Sequence, residues 1–297
     1  MNRLIRGEIV LLDGAMGTEL ERRGVGTPLP LWSAQALIDD APAVRRVHEE
    51  YARAGADVLT AATFRTTPRA LAKAGRAPGE ADRLTEAAVT LAAEGRALGA
   101  PGRTVWIAGS IAPLEDCYRP EASPVEAVAE REHAEQAARL RRAGADFILV
   151  ETMNTIAEAR AAARGAAATG LPVVVSFICR NDRELLDGAP LADAAREVAA
   201  LSPIAILVNC TPPDVAAGCL ETLSRAVTTP IGCYPNAGAP NLASGAWTFD
   251  PHDDPDRFAA LSREWVRRGA QIVGGCCGTG PAHTRALREA LPPVLVE

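Results

Sequence analysis

No basic stripe, no low-complexity stretch and no bilayer-length apolar run occurs anywhere in the 297 residues. Without a basic stripe, and with a net charge of −6 spread over interspersed acidic and basic residues, nucleic acid is not an expected partner. Without roughly 20 consecutive apolar residues, no helix is expected to span a membrane. The opening segment MNRLIRGEIVLLDGAMG pairs a basic stretch with a short apolar run, but Asp13 interrupts the run and no small-residue cleavage site follows. A cytoplasmic chain is expected. Seven cysteines are present, an odd number in no disulfide-like spacing, and no CxxC pair occurs. There is no P-loop, no GxGxxG after an apolar run and no GxSxG elbow, which removes the motif-based cases for a nucleotide site or a serine nucleophile. None of the four histidines, His48, His133, His252 and His283, stands at ligand spacing to a cysteine. His48 and His133 fall in helical patterns and are expected on the surface.

What the chain does have is one unit repeated: a short apolar run rich in β-branched residues, a loop, then an alanine-rich helical pattern. Eight such runs are expected as strands, at 8–13, 57–62, 104–109, 146–151, 172–177, 205–210, 230–234 and 271–276. Most are continuously apolar rather than alternating, as in parallel strands covered on both faces. The helices before the second, fourth and eighth runs end in YARAGAD, RRAGAD and RRGAQ, where a glycine supplies the left-handed helix stop. A helix over 124–143 is expected, with Ser123, Pro124 and Glu126 as cap, first turn and capping box. A helix near 256–268 would place Phe258, Leu261 and Trp265 on one packed stripe. Eight units in one domain over 1–297 predict an α/β fold, a (β/α)8 TIM barrel; an open doubly wound sheet is the alternative. The Gly-, Pro-, Asn- and Asp-rich segment 236–254 reads as a lid over the barrel mouth.

In such a barrel the chemistry lies at the C-terminal ends of the strands. Asp13, Thr63, Glu151, Ser176, Asn209, Cys210, Asn236, Cys276 and Cys277 fall there. Cys210 ends the run AILVNC, and Cys276 and Cys277 sit in GGCCGT, flanked by Gly274, Gly275 and Gly278, which would let the backbone bend both thiols toward one ion. Three thiolates suit one zinc with its fourth position open, a site that ionises a substrate thiol and holds it as a nucleophile. Two buried small residues are the alternative reading, and Cys117, Cys179, Cys219 and Cys233 are expected to be buried apolar thiols. Asp13 and Glu151 would be carboxylates inside the barrel mouth in want of a cation, for which an amino-acid ammonium would serve; a turn residue for Asp13, and a helix cap or structural ion pair for Glu151, are the alternatives.

The segments LLDGAMGTELERRG (11–24), VETMNTIAEA (150–159), VNCTPP (208–213), YPNAG (234–238) and GGCCGTGPAH (274–283) together closely resemble the homocysteine S-methyltransferase family, over about residues 8 to 291. The resemblance implies one zinc per chain on Cys210, Cys276 and Cys277, with L-homocysteine as the acceptor whose thiolate completes the metal shell. It implies that Asp13 and Glu151 hold the amino group and that the backbone at Gly14 faces the substrate. It also implies that Asn236 lies near the metal, offering a neutral oxygen to the open position. Family members take the methyl group from S-methylmethionine, S-adenosylmethionine, betaine or methylcobalamin. The length resembles the stand-alone sulfonium-dependent type, whereas TAATFRTT (60–67) and PNAGAPN resemble the cobalamin enzymes. A sulfonium donor is expected, with a corrinoid or betaine donor, or another thiol or selenol acceptor, as alternatives. A metal-storing or redox-sensing barrel is the non-enzyme alternative. Trp247 could stack on a cationic donor.

Overall fold

The structure, a computed structural model, describes residues 7–240, 247–248 and 254–291. The apolar runs form eight parallel strands and the alanine-rich patterns form the helices between them. Strand β1 (Val10–Leu11) leads into the short helix α1 (Gly17–Arg22), a 3-10 turn at Trp32–Gln35, and helices α2 (Ala36–Asp39) and α3 (Ala41–Ala54). Strand β2 (Val58–Thr60) precedes α4 (Pro68–Lys73) and α5 (Glu80–Gly99), β3 (Trp106–Ile111) precedes α6 (Glu126–Ala143), and β4 (Phe147–Met153) precedes α7 (Ile156–Ala167). Strand β5 (Val173–Phe177) is followed by α8 (Leu191–Ala199), β6 (Ala205–Asn209) by α9 (Pro213–Ala226), β7 (Ile231–Tyr234) by α10 (Pro255–Arg267), and β8 (Ala270–Val273) by α11 (Pro281–Ala290). Between β7 and α10, Ala239–Pro240 pairs antiparallel with Trp247–Thr248.

Strands two to eight are neighbours in sequence order, and β1 lies beside β8. The ring closes between β1 and β2, where Leu12 bridges Val58 and Asp57 N–H donates to Leu11 O at 2.7 Å. Closure rules out the open doubly wound sheet and makes the fold a (β/α)8 barrel. Alternate residues of each strand point inward: Val10, Leu12, Val58, Ala108, Leu149, Val174, Leu207 and Ile272 pack on one another inside the ring. Two residues further along several strands the inward position turns polar, at Thr60, Ser110, Glu151, Ser176 and Asn209, so the upper end of the lumen is a polar layer on an apolar plug. Among the described residues no helix is long and apolar enough to cross a membrane.

Glycine stops behave as their phrases predict: Gly55 and Gly144 end α3 and α6 at φ 108° and 91°. Phe258 and Trp265 are buried, with ring centroids 5.3 Å apart in an edge arrangement. Three expectations fail. Helix α6 opens at Glu126 with Val125 as its cap and no side-chain cap bond. Ser123 instead bonds Glu158, and Glu126 bonds Arg160 at 2.7 and 2.8 Å, so both side chains tie α6 to α7 rather than closing a capping box. His48 is fully buried, not a surface residue, because Gly95 and Gly99 on α5 let that helix close on α3; a Cβ at Gly95 would stand 2.6 Å from His48 Cβ. Burial lowers the His48 pKa to about 3. His133 is also buried, its Nε2 3.1 Å from Glu158 Oε1. His283 begins α11, where its Nδ1 accepts from Gly280 N–H at 3.1 Å. His252 lies outside the described residues, as do most of the proposed lid and the side chain of Trp247.

Candidate active site

Strands β6 and β8 flank β7, so the loops leaving their C-terminal ends meet above Tyr234. This brings together Cys210, one residue past β6, and Cys276 and Cys277, just past β8. Their three sulfurs lie within 4.8 Å of one another, with the Sγ atoms of Cys210 and Cys276 2.8 Å apart. A tetrahedral zinc with Zn–S bonds of ~2.3 Å needs its sulfurs ~3.8 Å apart, so the trio suits one ion by donor type and proximity, with the Cys210–Cys276 pair opening by ~1 Å to take it. Without an ion the three thiols share their protons unequally. Hydrogen bonds from Cys210 and Cys276 pull Cys277 down to about 5. Bonds to Cys276 and Cys277, with burial, push Cys210 well up. Cys276 is drawn down by the Cys210 bond but pushed up further by donating to Cys277 and by burial.

The glycines around the pair serve two different ends. Gly278 has a positive φ of 85°, which turns the chain after Cys277. Gly274 and Gly275 instead permit close packing: a Cβ would stand 2.7 Å from Leu12 Cβ at the first and 2.4 Å from Thr279 Oγ1 at the second. Cys210 is itself left-handed, at φ 51°, as is Thr152 at φ 60°. Asn209 joins them. Its Oδ1 accepts from Thr152 N–H at 3.0 Å and Ser176 Oγ at 2.7 Å, and its Nδ2 donates to Thr152 Oγ1 at 2.8 Å. That network faces the sulfurs, with Nδ2 of Asn209 4.0 Å from Cys276 Sγ and Thr152 Oγ1 3.9 Å from Cys210 Sγ.

Asp13 and Glu151 are both buried at the same mouth. Asp13 accepts from Thr60 N–H at 2.7 Å and Thr60 Oγ1 at 2.9 Å. Glu151 accepts from Ser110 Oγ and, at 3.2 Å, from Tyr234 OH. Burial lifts Asp13 to about 7 against those bonds, with the Glu151 charge adding to the rise. Burial, then the charge on Cys276, lifts Glu151 to about 7. Among the described residues neither carboxyl has an ion-pair partner. Two buried acids at one barrel mouth without an ion-pair partner among the described residues make a site that favours a small ammonium ion.

Gly14 packs where a side chain would not fit: a Cβ there would be 2.7 Å from both Tyr51 OH and Thr279 Oγ1. Asn236 is buried between the metal-site loops. Its N–H donates to Thr211 O at 3.1 Å, while on either side Cys276 N–H reaches Pro235 O and Ala237 N–H reaches Cys277 O, both at 2.8 Å. Its Oδ1 is buried without a hydrogen-bond partner among the described residues, an uncommon and costly state for an amide oxygen. Thr63, expected as a mouth residue, accepts from Ser110 N–H at 3.0 Å and so braces the strand that carries Ser110. Cys117, Cys179, Cys219 and Cys233 are buried and outside the trio. The sequence reading missed Thr60, Ser110, Thr152 and Tyr234; the first two lie at inward positions of strands that are apolar on both faces, where no alternation marks them.

The sequence model of the homocysteine S-methyltransferase family matches residues 10–291. Two relatives are 32% identical to this chain: homocysteine S-methyltransferase YbgG of Bacillus subtilis, over 94% of this chain and 93% of that protein, and homocysteine S-methyltransferase of Escherichia coli, over 96% of each. The crystal structure of the Escherichia coli homocysteine methyltransferase MmuM in its metallated form matches with a TM-score of 0.84 at 31% identity, covering 96% of this chain and 97% of that one.

Proposed function

The chain belongs to the homocysteine S-methyltransferase family, and on that premise we propose that it moves a methyl group from a sulfonium donor, S-methylmethionine or S-adenosylmethionine, to the thiol of L-homocysteine, giving methionine, with one zinc ion held by Cys210, Cys276 and Cys277. The observation that carries the reading is the convergence of three sulfurs, from segments more than sixty residues apart, within 4.8 Å. The metallated form of the Escherichia coli relative supports a metal there. Zinc in this trio would offer a fourth position where a substrate thiol loses its proton and stays nucleophilic.

The residues around it orient the acceptor. Asp13 and Glu151 take the α-ammonium group, which returns both to their anionic forms and ends their lack of a cation. The narrow segment at Gly14 lets backbone N–H groups approach the α-carboxylate. The unpartnered Oδ1 of Asn236 is a neutral oxygen suited to the metal's open position before the thiol arrives. In the transfer, the thiolate sulfur forms a bond to the methyl carbon as the carbon–sulfonium bond breaks, and the electron pair leaves on a neutral thioether.

Purified protein supplied with homocysteine and either sulfonium compound is expected to release methionine with no corrinoid present. Turnover with methylcobalamin but with neither sulfonium compound would overturn the donor assignment. The pH dependence follows chiefly from Asp13. Burial keeps it protonated below about 7 in the free protein, and a neutral carboxyl does not pair with ammonium; Glu151 is raised in the same direction by burial. Homocysteine kcat/KM is therefore expected to rise as pH climbs through about 7; a profile flat across that range would show that the acids do not bind the ammonium.

A further inference from the structure

We propose that Thr18 and Arg22, on α1, are positioning residues that hold the Cys276–Cys277 turn in its metal-binding shape. The proposal rests on the reading of the three cysteines as a metal site. Gly278 follows the pair, and α1 grips it from both sides. Its N–H donates to Thr18 Oγ1 at 2.9 Å, and its carbonyl accepts from Arg22 Nη2 at 2.9 Å. Glu19, itself buried, fixes the guanidinium by accepting from Arg22 Nη1 at 2.7 Å. The fit is close: a Cβ on Gly280 would stand 2.8 Å from Glu19 Oε2 and 3.0 Å from Arg22 Nη1.

These bonds add to others that hold the backbone of the turn. Gly275 N–H goes to Asp13 O at 3.2 Å, Cys276 N–H to Pro235 O, and Cys277 O takes Ala237 N–H. Cys276 O takes Thr279 Oγ1 at 2.7 Å. The peptide joining Cys277 to Gly278 is thus clamped at its oxygen by Ala237 and at its nitrogen by Thr18. Both polar groups of that peptide are held, so the hydroxyl of Thr18 helps fix the backbone from which the second thiol projects.

Helix α1 is held by its surroundings rather than by its own length. It has six residues, well below the ~12 at which an isolated helix becomes stable, and its cap residue Met16 makes no side-chain bond. Buried Leu20, the close packing of Gly17 on Trp32 and the Arg23–Glu50 ion pair seat it on its neighbours, and the two bonds to Gly278 join it to the turn. The same element continues from Asp13 and Gly14, and Ala15 N–H reaches Thr279 Oγ1 at 3.3 Å while Tyr51 OH donates to Ala15 O at 2.8 Å. The ammonium-binding segment and the thiol pair are therefore built on one rigid junction.

The test measures zinc affinity by chelator competition in the full-length protein, with thermal and urea unfolding alongside. Thr18→Val keeps the shape and removes the acceptor; it is expected to weaken zinc about tenfold, as loss of a bond that orients a metal ligand does, and Thr18→Ser is expected to restore it. Arg22→Met, at a partly exposed position, is expected to act in the same direction and decides the matter if Thr18→Val does not fold. The cobalt(II)-substituted variants should also show shifted sulfur-to-metal absorption bands. Wild-type zinc affinity and cobalt spectrum in the folded variants would overturn the positioning role alone. Wild-type protein that binds no zinc would overturn the metal site, and the clamp with it.

Discussion

Cys276→Ala is expected to leave a folded barrel that neither keeps zinc against a chelator nor makes methionine. The thiol lies past the end of β8 and packs only in part against the apolar plug, so between the metal-free proteins its loss is expected to change stability by no more than about 1 kcal/mol, while the metal-loaded wild type gains further stability from its ion. Two remaining thiols cannot reproduce a three-sulfur site, because each thiolate contributes both a bond and part of the charge that holds the ion. If metal activation of the acceptor thiol is worth roughly 4 kcal/mol, its loss lowers turnover ~10³-fold. Cys233→Ala is the matched control. That thiol is fully buried on β7 and outside the trio, so its replacement is expected to reduce stability and leave zinc content alone. Metal analysis, methionine formation and thermal unfolding on the two variants separate the cases. Full turnover in Cys276→Ala would sink the proposed chemistry.

The barrel was legible because parallel strands buried on both faces read as continuous apolar runs, and the helix stops at Gly55 and Gly144 marked where each run restarts. The cysteine trio was legible for a related reason: once eight strands close into a ring, residues at the ends of β6 and β8 must face the same mouth. That same continuous burial hid the polar layer beneath the trio. When both faces of a strand are apolar, the sequence does not show which alternate residues point inward, so Ser110 and Thr60 could not be told from residues facing the helices. Placing β3 at 104–109 rather than Trp106–Ile111 also set Ser110 just outside its strand. His48 failed on a longer-range effect. Its burial depends on Gly95 and Gly99, on a helix more than forty residues away, and helical periodicity within α3 carries no trace of them. Thr18 and Arg22 fall within the motif that gave the family resemblance, yet their contacts with Gly278 span more than 250 residues and needed the closed ring to appear.

Asp13→Asn is expected to separate acceptor binding from the metal. The carboxylate accepts two bonds from Thr60, and an amide can keep both, turning its oxygen to the Thr60 N–H and its nitrogen to the hydroxyl, so the mouth need not rearrange. What the amide cannot supply is the charge opposite the ammonium. Truncating one side of a buried charged pair costs roughly 3 kcal/mol, which places homocysteine kcat/KM about a hundredfold lower. Zinc content should be unchanged, since the carboxylate is no ligand. A substrate without the amino group, 4-mercaptobutanoate, provides the internal comparison: it should be poor with the wild type and no poorer with the variant, because the interaction removed is one it never makes. Stability should move the other way. In the ligand-free protein Asp13 is lifted from 3.8 to about 7, so its charged form is the disfavoured one, and the fold loses stability as pH rises between those values. Above about 7 the wild type carries that cost in full and the amide does not. The variant is therefore expected to resist urea at least as well as the wild type at alkaline pH while binding its substrate far less tightly. A variant with wild-type kcat/KM for homocysteine would remove Asp13 from the ammonium site.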